Sequence, residues 1–68
     1  MDLDGIFAAL SDATRRRMLD ELSKTDGQTI FELHVRLTQL HGASLSRQAL
    51  SRHLSVLEDA GLVRSEWR

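Results

Sequence analysis

The residues best suited to contact another molecule lie close together in the last third of the chain. A helix turns by about 100° per residue, so a helix over residues 47–59 would sort its side chains into a polar arc and an apolar arc. The polar arc, with the serine that precedes it, comprises Ser46, Arg47, Gln48, Ser51, Arg52 and Ser55. Arginine donates two parallel hydrogen bonds to guanine, glutamine pairs similarly with adenine, and serine is small enough to admit a helix to a major groove. These residue types indicate a surface that reads double-stranded DNA.

The opposite arc of the same helix is apolar and predicts packing. It comprises Ala49, Leu50, His53, Leu54, Val56 and Leu57. His53 is interpreted as a packed, hydrogen-bonded side chain and not as a ligand or base. Acidic residues occur only at the far end, Glu58 and Asp59, which is typical of helices that enter the groove by their N-terminal end. The alternative interpretation of the polar arc is the ordinary solvated face of an amphipathic helix.

The first half of the chain predicts two helices, because apolar residues recur at intervals of three and four. The first spans about residues 3–10 and is capped by Asp2. The second is capped by Ser11, with Asp12 near its positive end, and stops near Lys24. The basic run 15–17 is interpreted as a solvated face, since consecutive side chains point 100° apart.

The second half predicts two more helices and a strand. Thr29 and Glu32 fit a capping box that begins the third helix, and Gly42 marks its end. Ser44 or Ser46 caps the fourth helix, which runs to about residue 60, where Gly61 follows as a C-terminal cap. Residues 62–67 are predicted to begin a strand. The predicted fold is therefore mainly α.

Composition excludes several classes of protein. The chain has 68 residues, which is one small domain, and no cysteine, which excludes disulfides and thiolate metal sites and favours a reducing cytoplasm. No apolar run approaches the length of a membrane span. The net charge is −1, so any case for nucleic acid rests on local features. No catalytic triad or acid–base pair is present, and we expect a protein that is not an enzyme.

Two separated blocks resemble the bacterial ArsR-type family of repressors. Residues 7–15 (FAALSDATR) are similar to that family's N-terminal signature, and residues 45–63 (LSRQALSRHLSVLEDAGLV) are similar to its recognition helix and strand entry. The resemblance implies a winged helix-turn-helix of three to four helices over residues 1–68, acting as a DNA-binding repressor. It places base-facing residues at Arg47, Gln48, Ser51 and Arg52, and the resulting candidate DNA contacts are completed by Ser46, Ser55 and Arg64. It also implies a homodimer, for which the candidate interface is the stripe Leu3, Ile6, Phe7 and Leu10.

The chain departs from the family pattern in several places. Ala13 stands where proline is usual, and Arg16 stands where an apolar residue is usual. The segment between Leu37 and Ser46 is longer than usual, which predicts an extended third helix or a loop. The sequence ends at Arg68, within the expected wing and before the helix such repressors use to dimerise. We therefore expect the chain to continue, and Trp67 to pack in the wing or a dimer contact.

No metal or cofactor is expected. The family's metal sensors carry two cysteines in a stretch that here reads ELHVR, over residues 32–36. His34 and His41 would lie about 10 Å apart along a helix, too far to share one ion. The effector is left open. The favoured function is a sequence-specific DNA-binding regulator, and the alternative is a winged helix used for protein–protein contact, which the near-neutral charge would permit.

Overall fold

A computed structural model describes residues 3–25, 27–40, 42 and 44–64. These residues form four helices: α1 (Leu3–Leu10), α2 (Ala13–Lys24), α3 (Ile30–Leu40) and α4 (Arg47–Asp59). Within the described ranges there is no strand. The predicted fold class, a mainly helical helix-turn-helix, is confirmed. Among the described helices, none is long and apolar enough to cross a membrane.

The start of α2 is set by Asp12 and not by Ser11, so the prediction for this cap is wrong. The Asp12 carboxylate accepts a hydrogen bond from the amide of Arg15 at 3.0 Å. An N-cap side chain bonds an amide two or three residues ahead, and Arg15 stands in that position relative to Asp12. Ser11 instead donates its hydroxyl to the carbonyl of Ala8 at 2.7 Å, which closes the end of α1. The predicted Asp2 cap lies outside the described residues.

The capping box predicted for α3 is confirmed. The amide of Thr29 donates to the Glu32 carboxylate at 3.3 Å, and the amide of Glu32 donates to the Thr29 hydroxyl at 3.1 Å. Two donors without intrahelical partners are thereby satisfied. The helix extends to Leu40, and Gly42 follows it with φ of 63°. The long segment before α4 is therefore divided between an extended helix and a connecting loop.

Caps at both ends define α4. Of the two serines predicted, Ser46 is the cap, and its hydroxyl accepts from the amide of Ala49 at 3.1 Å. At the other end Gly61 has φ of 75°, and its amide donates to the carbonyl of Glu58 at 2.9 Å, while the amide of Leu62 donates to Leu57 at 3.0 Å. This pair of bonds is a Schellman motif, which glycine permits because it adopts a positive φ without strain.

The core lies between α2, α3 and α4, with a small contribution from α1. Both α2 and α4 contact all three other helices. The buried apolar residues are Ala9, Met18, Leu33, Leu37, Leu50, Leu54 and Leu57. Ala9 is the α1 residue that is buried, whereas Leu3 and Phe7 are 59% and 66% exposed. The short α1 therefore covers the core with a small residue and leaves its large apolar side chains facing outward.

The described part of the predicted strand is irregular. Leu62 and Val63 are half-buried and pack against the core, but residues 62–64 form no strand. A strand needs a neighbouring strand to satisfy its backbone groups, and the described residues offer none. The rest of the predicted strand, including Trp67, lies outside the described residues. Leu62 and Val63 therefore extend the hydrophobic core past the end of α4.

Candidate nucleic-acid interface

The polar arc of α4 lies on the outer surface of the molecule. Its members and the capping serine are all exposed, namely Ser46, Arg47, Gln48, Ser51, Arg52 and Ser55. On the opposite side of the helix Leu50 and Leu57 are fully buried, and Leu54 is 4% exposed. The partition predicted by helical periodicity is present in the fold, with the exception that Val56, assigned to the apolar arc, is 39% exposed.

The long side chains of the polar arc are not engaged within the molecule. Arg47, Gln48 and Arg52 form no side-chain hydrogen bond or ion pair with any other described residue. Two of the serines form hydrogen bonds within α4. The hydroxyl of Ser46 accepts from the amide of Ala49, and the Ser55 hydroxyl donates to the Ser51 carbonyl at 3.1 Å. The arc thus presents two guanidinium groups and an amide to an external partner.

Among the described residues, a recess on each side of α4 can be compared, and the two differ in charge. The recess on the α3 side is lined by Ile30, Ser51, Leu54, Ser55 and Glu58. The recess on the α2 side is lined by Arg15, Ala49, Arg52, His53 and Val56. The first contains a carboxylate, whereas the second contains two arginines and a histidine. The electrostatic surface beside α4 is therefore asymmetric, with positive groups concentrated toward α2.

Arg15 holds α4 in place relative to α1 and α2. Its Nε donates to the carbonyl of Ala9 at 2.7 Å, and its second terminal nitrogen donates to the carbonyl of Ala8 at 3.1 Å. The remaining terminal nitrogen lies 3.2 Å from Nδ1 of His53 in α4. The expectation that His53 is packed and hydrogen-bonded is confirmed. The solvated-face interpretation of residues 15–17 is wrong for Arg15, which is half-buried.

The role of Arg15 in joining the helices was not predicted from the sequence, although the sequence contains a signal for it. The last carbonyls of a helix lack intrahelical partners, and α1 has no basic residue in its last turn. Basic side chains early in α2 are the nearest donors in the sequence. Arg16 acts in the same way, since it donates to the carbonyl of Leu10 at 2.6 Å. A short helix followed closely by arginines therefore predicts that they cap its end.

Asp12 is a second residue near this contact that was not among the DNA contacts predicted from the sequence. Its pKa is held below the ordinary aspartate value, chiefly by the hydrogen bond from the Arg15 amide. Partial burial opposes this shift, and the nearby His53 imidazole and Arg15 guanidinium reinforce it. Asp12 thus keeps a negative charge beside the Arg15–His53 contact, and it compensates part of the positive charge there.

The remaining candidates occupy separate surfaces. Arg64 is exposed beyond the Schellman turn that ends α4. The proposed dimer stripe lies on α1, where Leu3 and Phe7 are exposed and Ile6 and Leu10 are half-buried. The structure does not bring this stripe into the α4 surface, so the two candidate contact regions are distinct.

His34, the histidine of α3, serves the fold. The Nε2 of His34 donates to the carbonyl of Leu45 at 2.6 Å, which ties α3 to the segment before α4. Among the described residues there is no group of three His, Cys, Asp or Glu side chains that could hold a metal ion. His41, the other histidine considered as a ligand, lies outside those residues.

Comparisons with known proteins agree with this arrangement. The family of the helix-turn-helix domain matches residues 10–66. A relative from Bacillus subtilis (strain 168), named "Uncharacterized HTH-type transcriptional regulator YuzN", is 56% identical over 63 residues, which is 93% of this chain and 68% of the relative. No solved structure matches the chain. With α3 and α4 joined by a loop and the polar face of α4 outward, the chain belongs to the helix-turn-helix domain family.

Proposed function

We propose that this chain is the DNA-binding domain of an ArsR-type repressor, which acts as a homodimer and reads its operator with α4 in the major groove. The observation that carries this proposal is the exposed polar arc of α4, whose Arg47, Gln48 and Arg52 side chains are unengaged by other described residues. Long polar side chains without internal partners are what direct readout of base edges requires. Family membership and the regulator name of the relative support it.

Each part of the surface has its own role in this proposal. Arg47 and Gln48 stand at the leading end of α4 and contact base edges. Ser51 and Ser55 are small and exposed, so they let the helix approach the groove closely. The hydroxyl of Ser46 holds the first turn in place. Arg64, exposed past the end of α4, contacts phosphate.

The homodimer is supported by the exposed face of α1. Leu3 and Phe7 are 59% and 66% exposed, and such large apolar side chains are stabilised when a partner covers them. A domain of this size also buries only about 60% of the surface of its unfolded chain, which leaves its stability marginal. In a dimer that places both α4 helices in successive major grooves, the two would lie about 34 Å apart.

The mode of action that follows is binding without catalysis, in the cytoplasm. In this proposal residues 1–68 form a single winged helix-turn-helix domain, and it holds no cofactor. Control of transcription then depends on how tightly α4 binds its operator relative to other DNA.

Readout by α4 is tested by fluorescence anisotropy on two duplexes, one selected from a randomised pool by the wild-type chain and one with its sequence scrambled. Gln48→Ala and Arg47→Ala should each cost about 1 to 3 kcal/mol on the selected duplex. Gln48→Ala removes no charge, so binding to the scrambled duplex should change far less. Gln39→Ala, an exposed glutamine on α3, is the matched control and should change neither affinity.

The phosphate role of Arg64 is tested in the same assay at several salt concentrations. Arg64→Ala should weaken binding to both duplexes alike and reduce the slope of log affinity against log salt by about 0.9. If Gln48→Ala and Arg47→Ala leave the ratio of selected to scrambled affinity unchanged in folded protein, α4 is not the reader. The protein-contact alternative would then be favoured.

A further inference from the structure

The recess between α2 and α4 has a composition that the base-reading role of α4 does not use. It is lined by Arg15, Ala49, Arg52, His53 and Val56, and we call it the donor recess. Arg52 is exposed, and its side chain forms no hydrogen bond with another described residue. On a helical wheel Arg52 stands at the edge of the polar arc, next to the other α4 residues that line the recess. Its guanidinium therefore lies at the border between the reading surface and the recess.

The Arg15 contact determines which tautomer His53 adopts. A guanidinium only donates hydrogen bonds, so Nδ1 of His53, 3.2 Å from the Arg15 terminal nitrogen, must accept. In the neutral imidazole the proton then lies on Nε2, which becomes a donor. No other described residue accepts from Nε2. Arg15 thus converts His53 into a hydrogen-bond donor at the lining of the recess.

The polar side chains among the residues that line the donor recess are therefore all donors, and two of them are cationic. Asp12 is a described carboxylate that interacts with these groups; it accepts from the Arg15 amide and is not part of the lining. Asp12 compensates Arg15, and Arg52 supplies the remaining positive charge. A recess with donors, positive charge and no accepting group favours an anionic oxygen ligand.

We infer that the donor recess binds a phosphate oxygen of the DNA backbone, with Arg52 and the Nε2–H of His53 as contacts and Arg15 as the positioning residue. This inference rests on the proposed function, because it needs α4 in the groove. When the polar arc faces the bases, the α2 side of the helix faces one wall of the groove, where the backbone runs. The recess on the α3 side contains Glu58, which would repel phosphate. Arg52 is thereby assigned to the backbone and not to a base.

The first experiment measures salt dependence on the scrambled duplex with the whole chain. Arg52→Ala should reduce the slope of log affinity against log salt by about 0.9. It should also weaken binding to the selected and scrambled duplexes by the same factor. Arg17→Ala is the matched control, because Arg17 is exposed on α2 and does not line the recess, and it should leave the slope unchanged. An unchanged slope for Arg52→Ala, or a loss confined to the selected duplex, would overturn the inference.

The second experiment observes His53 directly in the unaltered chain by nitrogen-15 NMR of its imidazole. Free protein at neutral pH should show the Nε2–H tautomer, and the scrambled duplex should shift the Nε2 resonance. Inorganic phosphate at the same phosphate concentration should shift it much less, because free phosphate lacks the other contacts of the duplex. A Nδ1–H tautomer, or an equal shift with inorganic phosphate, would contradict a DNA-backbone site.

The two proposals fail in different ways. If no sequence is enriched from the randomised pool but Arg52→Ala still lowers the salt slope, sequence-specific readout is wrong and the phosphate contact stands. If Gln48→Ala lowers the ratio of selected to scrambled affinity while Arg52→Ala leaves the slope unchanged, readout by α4 stands and the donor recess is wrong.

Discussion

Arg15 on α2 donates a hydrogen bond to Nδ1 of His53 on α4 across 3.2 Å. The same guanidinium bonds the carbonyls of Ala8 and Ala9 at the end of α1, so one side chain joins three helices. Because α1 carries the proposed dimer face and α4 the proposed reading face, the contact links the two surfaces. In the proposed dimer, the position of α4 relative to the partner would therefore depend on Arg15.

Arg15→Met should lower the free energy of unfolding by about 2 kcal/mol, since three hydrogen bonds of about 0.5 to 1.5 kcal/mol each are lost and methionine keeps part of the packing. Arg15→Lys should be little more stable than Arg15→Met, because an ammonium lacks the planar fork that reaches several acceptors at once. Urea denaturation followed by circular dichroism measures both. Arg17→Met, at an exposed arginine of the same helix, should change stability by less than about 0.5 kcal/mol. Equal losses for Arg15→Met and Arg17→Met would contradict the contact.

Asp12→Ala should destabilise the fold by about 1 kcal/mol at pH 7 through loss of the α2 cap. The pKa of Asp12 is lowered in the folded state, chiefly by the Arg15 amide hydrogen bond. The stabilisation is therefore present above the ordinary aspartate pKa of about 3.9 and is lost as the pH falls through the folded value. Denaturation between pH 7 and pH 2.5 should show wild type and Asp12→Ala converging below about pH 4. Asp12→Asn keeps a neutral cap, so its stability relative to Asp12→Ala should not vary with pH.

Leu50→Ala should cost about 2 to 5 kcal/mol, because Leu50 is fully buried and its removal leaves a cavity in a small core. In a domain of this size that loss is a large part of the total stability. Val56→Ala on the same helix, where the side chain is 39% exposed, should cost much less. Thermal unfolding by circular dichroism compares them, and similar midpoints for the two variants would be inconsistent with this core.

Phe7→Ser should weaken dimerisation by at least tenfold, or about 1.4 kcal/mol, with little effect on the fold, because Phe7 is 66% exposed in the single chain. Sedimentation equilibrium at micromolar concentration measures the association. Phe31→Ser is the matched control, since Phe31 is 60% exposed on α3 and lies outside the proposed interface. A wild-type chain that stays monomeric at micromolar concentration would argue against the α1 interface, as would equal weakening by the two substitutions.

Much of the fold follows from patterns that span only a few residues. The Thr29–Glu32 capping box and the glycines after α3 and α4 involve neighbours within one turn, so local chemistry identifies them. The same holds for the polar arc of α4, because helical periodicity alone separates Arg47, Gln48 and Arg52 from the buried leucines. The α2 cap was predicted at Ser11 and lies at Asp12, since both residue types cap well and only the register of α2 selects between them.

Sequence by itself thus determined the helices, the capping box of α3, the glycine cap of α4 and which side of α4 is polar, because each depends on residues within about four positions of one another. Tertiary structure alone decided that Arg15 meets His53, which lies 38 positions away, and that both line a recess with Arg52. It also decided that α1 buries Ala9 and exposes Leu3 and Phe7. A helical period shows that a face is apolar, but only the packing of the other helices determines which part of that face is covered.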